Sequence, residues 1–286
     1  MTLHRLPREQ QYLHGHFSPE LEPVVAIDPG DSVEISVPNH AWEVERDEQI
    51  VSRDPEIDTG HALAGPIEVR GAKAGQALVV RIEEVRPGNW GVTYGGEGHA
   101  VYWDLAAGIG RALDREVDLA PFLGVMGMPP PKSGVHSTVP PRRWGGNLDC
   151  KELVAGTTLY LPIPLDGALF SAGDGHAAQG DGEVSGYAIE TPAQARLTLD
   201  VDTELQLEWP VARIAGAWLT FGMDEHLGRA ARIAVDGMVA LMGRELGVFG
   251  GDALVLASIA VDLHVTQVVN GNLGVHAVLR DDAFRA

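Results

Sequence analysis

The sequence predicts a β-rich fold, mainly β with a small α layer: a barrel or sandwich built from hairpins, with two C-terminal helices. Three observations carry this expectation. Short alternating apolar segments separated by Pro-Gly or Ala-Gly turns run through the first 85 residues. Glycine (35) and proline (18) together supply about a fifth of the 286 residues, with no collagen period, which points to many tight turns. Helical periodicity is confined to the region after Phe221.

The elements follow in order. Residues 24–27 and 32–37 read as strands around Asp28-Pro29-Gly30-Asp31, where proline presets φ and glycine admits a positive φ. Residues 67–70 and 77–82 repeat the pattern around Gly71-Ala72-Lys73-Ala74-Gly75. Both units read as hairpins. Residues 86–146 read as irregular, a length that in a compact domain is functional or faces a partner subunit. Strands return at 157–165, 184–190 and 195–201. From 225 to 246, Leu227, Ala231, Ala234, Met238, Leu241 and Met242 recur at helical spacing, and Gly247 ends the helix. Asp252 begins a second helix to about 260, apolar enough to be buried nearly all round. Residues 265–269 and 275–279 form a last hairpin around Asn270-Gly271-Asn272. We expect one domain over 1–286, with a β-rich part at 20–85 packed on a core at 145–280.

Composition removes several classes of function. A net charge of −19 repels phosphate backbones and anionic membrane surfaces, so no nucleic-acid or membrane partner is expected. One cysteine, Cys150, excludes a disulfide framework. No apolar leader segment and no membrane-length apolar run is present, and the expectation is a soluble cytoplasmic protein.

The chemistry concentrates in Gly173-Asp174-Gly175-His176-Ala177-Ala178-Gln179-Gly180-Asp181-Gly182-Glu183. Four glycines let this backbone fold back so that carboxylates and an imidazole converge. Asp174 and His176 share one face if extended. Mixed donors of this kind suit Zn²⁺, and an all-oxygen subset suits Ca²⁺ at a second site. The bland alternative is a solvated acidic turn. Upstream, Asp149 can complete a metal site, and the Asn147 amide can orient a carbonyl. Taken alone, Asp149 reads more readily as a cap and His61 as a surface histidine. His14 and His16 form a His-x-His pair, expected in a mobile tail or a subunit contact. No Gly-x-Ser-x-Gly elbow and no dinucleotide fingerprint occurs, and Cys150 has no basic run near it beyond Lys151.

The ordered set Gly145-Gly146-Asn147-Leu148-Asp149, Leu159-Tyr160-Leu161-Pro162 and residues 167–183 resembles the acetamidase/formamidase family. Residues 65–76, 122–129, 252–258 and 266–269 extend the likeness over most of 22–280. The resemblance implies a metal-dependent amidohydrolase that releases ammonia from small linear amides such as formamide or acetamide. It also implies a homo-oligomer, a dimer or a multiple of one. With it, His61 and Glu183 join Asp149, Asp174 and His176 as metal ligands. A free carboxylate, Glu183 or Asp181, takes the water proton, and Asn147 assists. Ala74 and Gln76 depart from the family's hairpin turn, and Ser185 and Tyr187-Ala188 from the residues that usually follow Glu183. These departures put the identity of the amide in question. For an interface, the stretch 86–146 offers Trp90, Tyr94, Tyr102, Trp103, Met126, Met128 and Trp144. The rival reading is a catalytically silent binding or assembly protein that keeps a structural metal.

Overall fold

The computed structural model describes residues 1–285. A nine-stranded sheet runs in the order Leu3–Leu6, Asp31–Val37, Ala193–Asp202, Ala77–Pro87, Thr158–Pro162, Val211–Ile214, Ala217–Asp224, Leu273–Arg280, Val261–Gln267. A six-stranded sheet holds Gly145–Asn147, Phe122–Gly127, Phe170–His176, Leu63–Val69 and Leu13–His14, with Val25–Ile27 also paired to Leu63–Val69. The two sheets share one apolar core. Val33, Ile35, Leu78, Val80 and Leu197 come from the first, and Ile67, Leu123, Met126 and Phe170 from the second. The alternation of Asp31–Val37 explains its place, since Val33, Ile35 and Val37 are all buried.

The β-rich class and the two C-terminal helices are as expected, but the strand pairing differs. Residues 24–27 and 32–37 do not pair: one joins the six-stranded sheet, the other the nine-stranded sheet. Residues 67–70 and 77–82 part in the same way. The glycine turns are real, with Gly30, Gly71 and Gly75 at positive φ. They carry the chain across the core between layers. Strands from 20–85 and from 145–280 alternate within one sheet, Ala77–Pro87 lying between Ala193–Asp202 and Thr158–Pro162.

Residues 86–146 are more regular than expected. Trp90–Tyr94, Ala100–Ala106, Ile109–Ala112 and Arg115–Asp118 form a four-stranded antiparallel meander. Trp90, Met126 and Met128 are buried, so they belong to the fold and cannot serve an interface; Tyr102 is exposed. Residues 184–190 form a loop instead of the expected strand.

Helix α1 spans Leu227–Leu246 and ends at Gly247 in the left-handed conformation, φ 67°. Ala230, Ala234, Met238, Leu241 and Met242 pack it on the strands Ala217–Asp224 and Leu273–Arg280. Gly222 makes this contact possible. A Cβ there would meet the Ala230 carbonyl oxygen, with Ala234 N 2.6 Å away. Gly222→Val should therefore cost about 3 kcal/mol, the upper end for overpacking. An unchanged denaturant midpoint would contradict this contact. Helix α2 spans Gly250–Ala260 and corrects the expectation of burial all round: only Ala253 and Ala257 are buried, while Val255 and Ile259 are exposed. The final hairpin pairs Val261–Gln267 with Leu273–Arg280. No described helix is long and apolar enough to cross a membrane.

Candidate active site

Three carboxylates that the sequence singled out, two from the glycine-rich segment and one from upstream, converge with one imidazole at the end of the strand Phe170–His176. Asp174 and His176 lie on that strand, Asp149 just beyond Gly145–Asn147, and Glu183 in the following loop. All four are buried. His176 Nε2 stands 3.4 Å from Asp174 Oδ2. Potential donor atoms of Asp149, His176 and Glu183 lie within 4.8 Å of one another, and so do those of Asp174, His176 and Glu190. His176 is common to both groups.

The glycines around this centre have specific tasks. At Gly173 and Gly175 a Cβ would collide with the Ala62 and Thr191 carbonyls, so these positions admit close strand packing. At Gly124 a Cβ would lie 2.6 Å from Asp174 Oδ2 and 2.7 Å from Asp149 Oδ1. The bare backbone there leaves a cradle between the carboxylates. The acids themselves are held in unusual conformations: Asp149, Asp174 and Glu183 have φ of 48°, 62° and 45°. Left-handed non-glycine residues cost about 1–3 kcal/mol each and gather where function requires them.

Glu190 is a site residue that the sequence reading missed. It forms isolated bridges to both Val92 and His176, joining the meander to the six-stranded sheet. Its Oε2 stands 3.3 Å from His176 Nε2 and 3.3 Å from His40 Nδ1, while Oε1 accepts from Ala188 N at 2.9 Å. His40, also missed, packs against the paired rings of Tyr94 and Tyr187, with centroids 6.0 and 5.4 Å away. The only local signal for Glu190 is a lone acid in the apolar run Ala188-Ile189-Glu190-Thr191-Pro192.

His61 lies at the margin, Nε2 4.0 Å from Asp174 Oδ2, with Nδ1 paired to Thr138 Oγ1 at 2.8 Å. Asn147 is buried opposite Val125, and its Oδ1 has no partner. Asp181 is not brought to the cluster; it pairs with Lys151 at 3.0 Å and His264 at 3.1 Å. His14 and His16 are buried, correcting the mobile-tail reading. His14 bonds Ser171 Oγ at 2.9 Å and His16 bonds Asp58 at 2.7 Å. Each of the four groups of possible side-chain ligands among the described residues contains a histidine, so the calcium expectation meets no all-carboxylate group.

Electrostatics sorts these groups. Burial works against charge on His176, but the attraction of Glu190 and Asp174 prevails and holds its pKa well above the usual value. Glu190 is the counterpart: burial opposes its charge, and His176 and His40 hold its pKa well below the usual range. Burial first, then mutual repulsion among the acids, raises Asp149 well above a carboxylate's usual value and Glu183 to about 7. The centre thus gathers more carboxyl groups than its histidines can pair. Asp149 Oδ1, Asp174 Oδ1, Glu183 Oε2 and Glu190 Oε2 are buried without hydrogen-bond partners. Buried orphan oxygens are costly. A divalent cation would satisfy them, and carboxylate with imidazole is a donor set that suits one.

Gln179 and Asn270 fix the arrangement. Gln179 takes its place between His176 Nδ1, at 2.9 Å, and the Asp149 carbonyl, at 2.7 Å; Asn270 Nδ2 donates to Asp149 Oδ2 at 2.5 Å. Beside them opens a cavity of about 760 Å³ whose wall includes Glu183, Gln179, Trp103, Val184 and Tyr187. We expect Gly124→Ala to weaken Zn²⁺ binding roughly tenfold or more while the circular dichroism is unchanged. Titration calorimetry giving wild-type affinity would contradict the cradle.

Fold and centre together define a class: a two-layered β protein with a buried site of carboxylate and imidazole donors. The chain belongs to the acetamidase/formamidase family, whose sequence model matches residues 2–120 and 130–215. It is 26% identical to a formamidase of Methylophilus methylotrophus, over 65% of this chain and 63% of that one. It is 24% identical to an acetamidase of Mycolicibacterium smegmatis, over 60% and 61%. The chain thus spans about three fifths of the length of the curated relatives it matches. The crystal structure of an acetamidase from Bacillus halodurans superposes with a TM-score of 0.85 at 27% identity, covering 96% of this chain and 97% of that one.

Proposed function

We propose that this chain hydrolyses small linear amides, of the formamide and acetamide type, to carboxylate and ammonia with the help of a divalent metal. One observation carries the reading: four buried carboxylates surround His176, each with an oxygen that has no hydrogen-bond partner. Asp149, Asp174, His176 and Glu190 would hold the ion, with His61 at the edge and Glu183 facing Asp149. Zn²⁺ is the ion we favour, because histidine takes part in each group. Such an ion supplies polarisation of a carbonyl and a lowered pKa for bound water.

The protein's own groups do the rest. Glu183, with its pKa near 7, accepts a proton at its unpaired Oε2 as water adds to the carbonyl carbon. It then returns that proton to the nitrogen, which leaves as ammonia. Asn147 orients the amide. His40, outside the proposed ligand set, pairs with Glu190 and favours its ionised form. Cys150 is buried, and burial together with Glu152 pushes its thiol well above the usual range. It is unsuited to act as nucleophile.

Ammonia release from formamide, acetamide, propionamide, urea and cyclic imides, with and without chelator, tests this reading. Release from a linear amide that stops on chelation is expected. No release from any of them by folded, metal-loaded protein would favour the silent binding protein instead. Assembly is a separate proposal. With Trp90, Met126 and Met128 in the core, a dimer would use the apolar face of α2, where Phe249, Val255 and Ile259 are exposed. A 30 kDa particle in light scattering at micromolar concentration would refute it.

A further inference from the structure

The wall of the same cavity hides a second group of donors that amide hydrolysis leaves unused. Cys150 is the chain's only cysteine and is fully buried. Its Sγ–H donates to Glu152 Oε2 at 3.2 Å. His276, with 0% exposure, points Nε2 at the same carboxylate oxygen from 3.6 Å, and that nitrogen has no hydrogen-bond partner. Its Nδ1 is paired with Thr266 Oγ1 at 2.8 Å, leaving Nε2 to face the sulfur and the carboxylate. The three donor atoms lie within 4.8 Å of one another. Two surroundings matter. His264 stacks on His276 with ring centroids 5.1 Å apart, and its Nδ1 is held by Asp181. Lys151, Glu152 and Asp181 also line the cavity, so an ion can reach the group from solvent.

We propose that Cys150, Glu152 and His276 form a second metal site, of thiolate, carboxylate and imidazole donors, which takes Zn²⁺ with a fourth position open towards Asp181. A fully buried imidazole nitrogen without a partner, set against a thiol and a carboxylate, is accounted for by an ion between them. Sulfur and nitrogen donors select zinc over calcium or magnesium. Binding breaks the Cys150 S–H bond and forms an S–Zn bond, and the proton leaves through Glu152 to the cavity water. Uptake therefore releases one proton and weakens as pH falls. The site would tie residues 149–152 to the terminal hairpin, from which Asn270 already reaches Asp149. It would act as a structural clip between that segment and the hairpin.

Co²⁺ added to the metal-stripped full chain provides the test. Cys150 is the only thiol, so a near-ultraviolet thiolate-to-cobalt band can arise nowhere else. The band should saturate by two Co²⁺ per chain in the wild type and at one in His176→Ala, and vanish in Cys150→Ser with one fewer ion bound. Should Cys150→Ser not fold, His276→Gln should weaken the binding that produces the band roughly tenfold or more. Absence of the band in wild-type protein at saturating Co²⁺ would overturn the site, whatever the amide assays give. So would a band that is unchanged in both His276→Gln and Glu152→Gln, since it would mark a thiol acting alone.

Discussion

Glu183→Gln should lower kcat by about 10²-fold or more while the protein stays folded, the range for a positioned proton-transfer group. Glutamine keeps nearly the same volume, so no cavity opens, but it neither accepts nor returns a proton. The position is unusually suited to that task. Glu183 is buried beside Asp149, its pKa is raised to about 7, and its Oε2 faces the centre without a partner. Asp181→Asn serves as the comparison. Asp181 is occupied by Lys151 and His264, so the exchange should leave kcat within a few-fold of wild type. Near-normal turnover in Glu183→Gln with a collapse in Asp181→Asn would assign the proton transfer to Asp181.

His176→Ala should abolish metal occupancy of its own centre and, with it, turnover. His176 is common to the two donor groups, and it is the cation that Asp174 and Glu190 both face. Without it the acids confront one another across the cradle. Removing one partner from a buried ion pair costs about 3–5 kcal/mol, because the charge that remains is neither solvated nor paired. The metal-free variant should therefore also unfold at lower denaturant. His176→Asn, which keeps a polar group in the space, separates loss of fold from loss of ligand: it should fold better than His176→Ala and still be inactive. Full occupancy in either variant by elemental analysis would remove His176 from the site.

What was legible in the sequence was local. Glycine spacing pointed to Asp174, His176 and Glu183 because all lie within eleven residues, and the chain needs only its own turns to gather them. Glu190 is seven residues beyond Glu183, yet it reaches His176 only because loop 184–190 turns back and bridges two sheets. His40 reaches the centre from more than a hundred residues away. Neither lies in a pattern that periodicity can detect. The turns at Gly30 and Gly75 were legible for the same reason, but turn chemistry fixes a reversal and says nothing of which sheet the next strand joins. The meander at 90–118 was hidden by its glycines and by strands such as Arg115–Asp118, exposed along their whole length. Helix α2 lacks an apolar stripe because nearly all its residues are apolar, and composition alone cannot tell a covered face from an open one. His14 was misjudged by its nearness to the terminus. Pairing of Leu13–His14 with Ala64 and Leu63 buries it, and burial lowers its pKa to about 3, which keeps the imidazole neutral.

Turnover measured against bound metal tests metal-dependent amide hydrolysis most directly. Chelated protein is reloaded with Zn²⁺ in steps, and ammonia release from formamide and acetamide is followed beside elemental analysis, in wild type and in Cys150→Ser. No turnover is expected in the metal-free protein, and a rise in proportion to occupancy of the His176 centre, retained when the thiol is absent. Full turnover in protein that elemental analysis finds free of metal would contradict it.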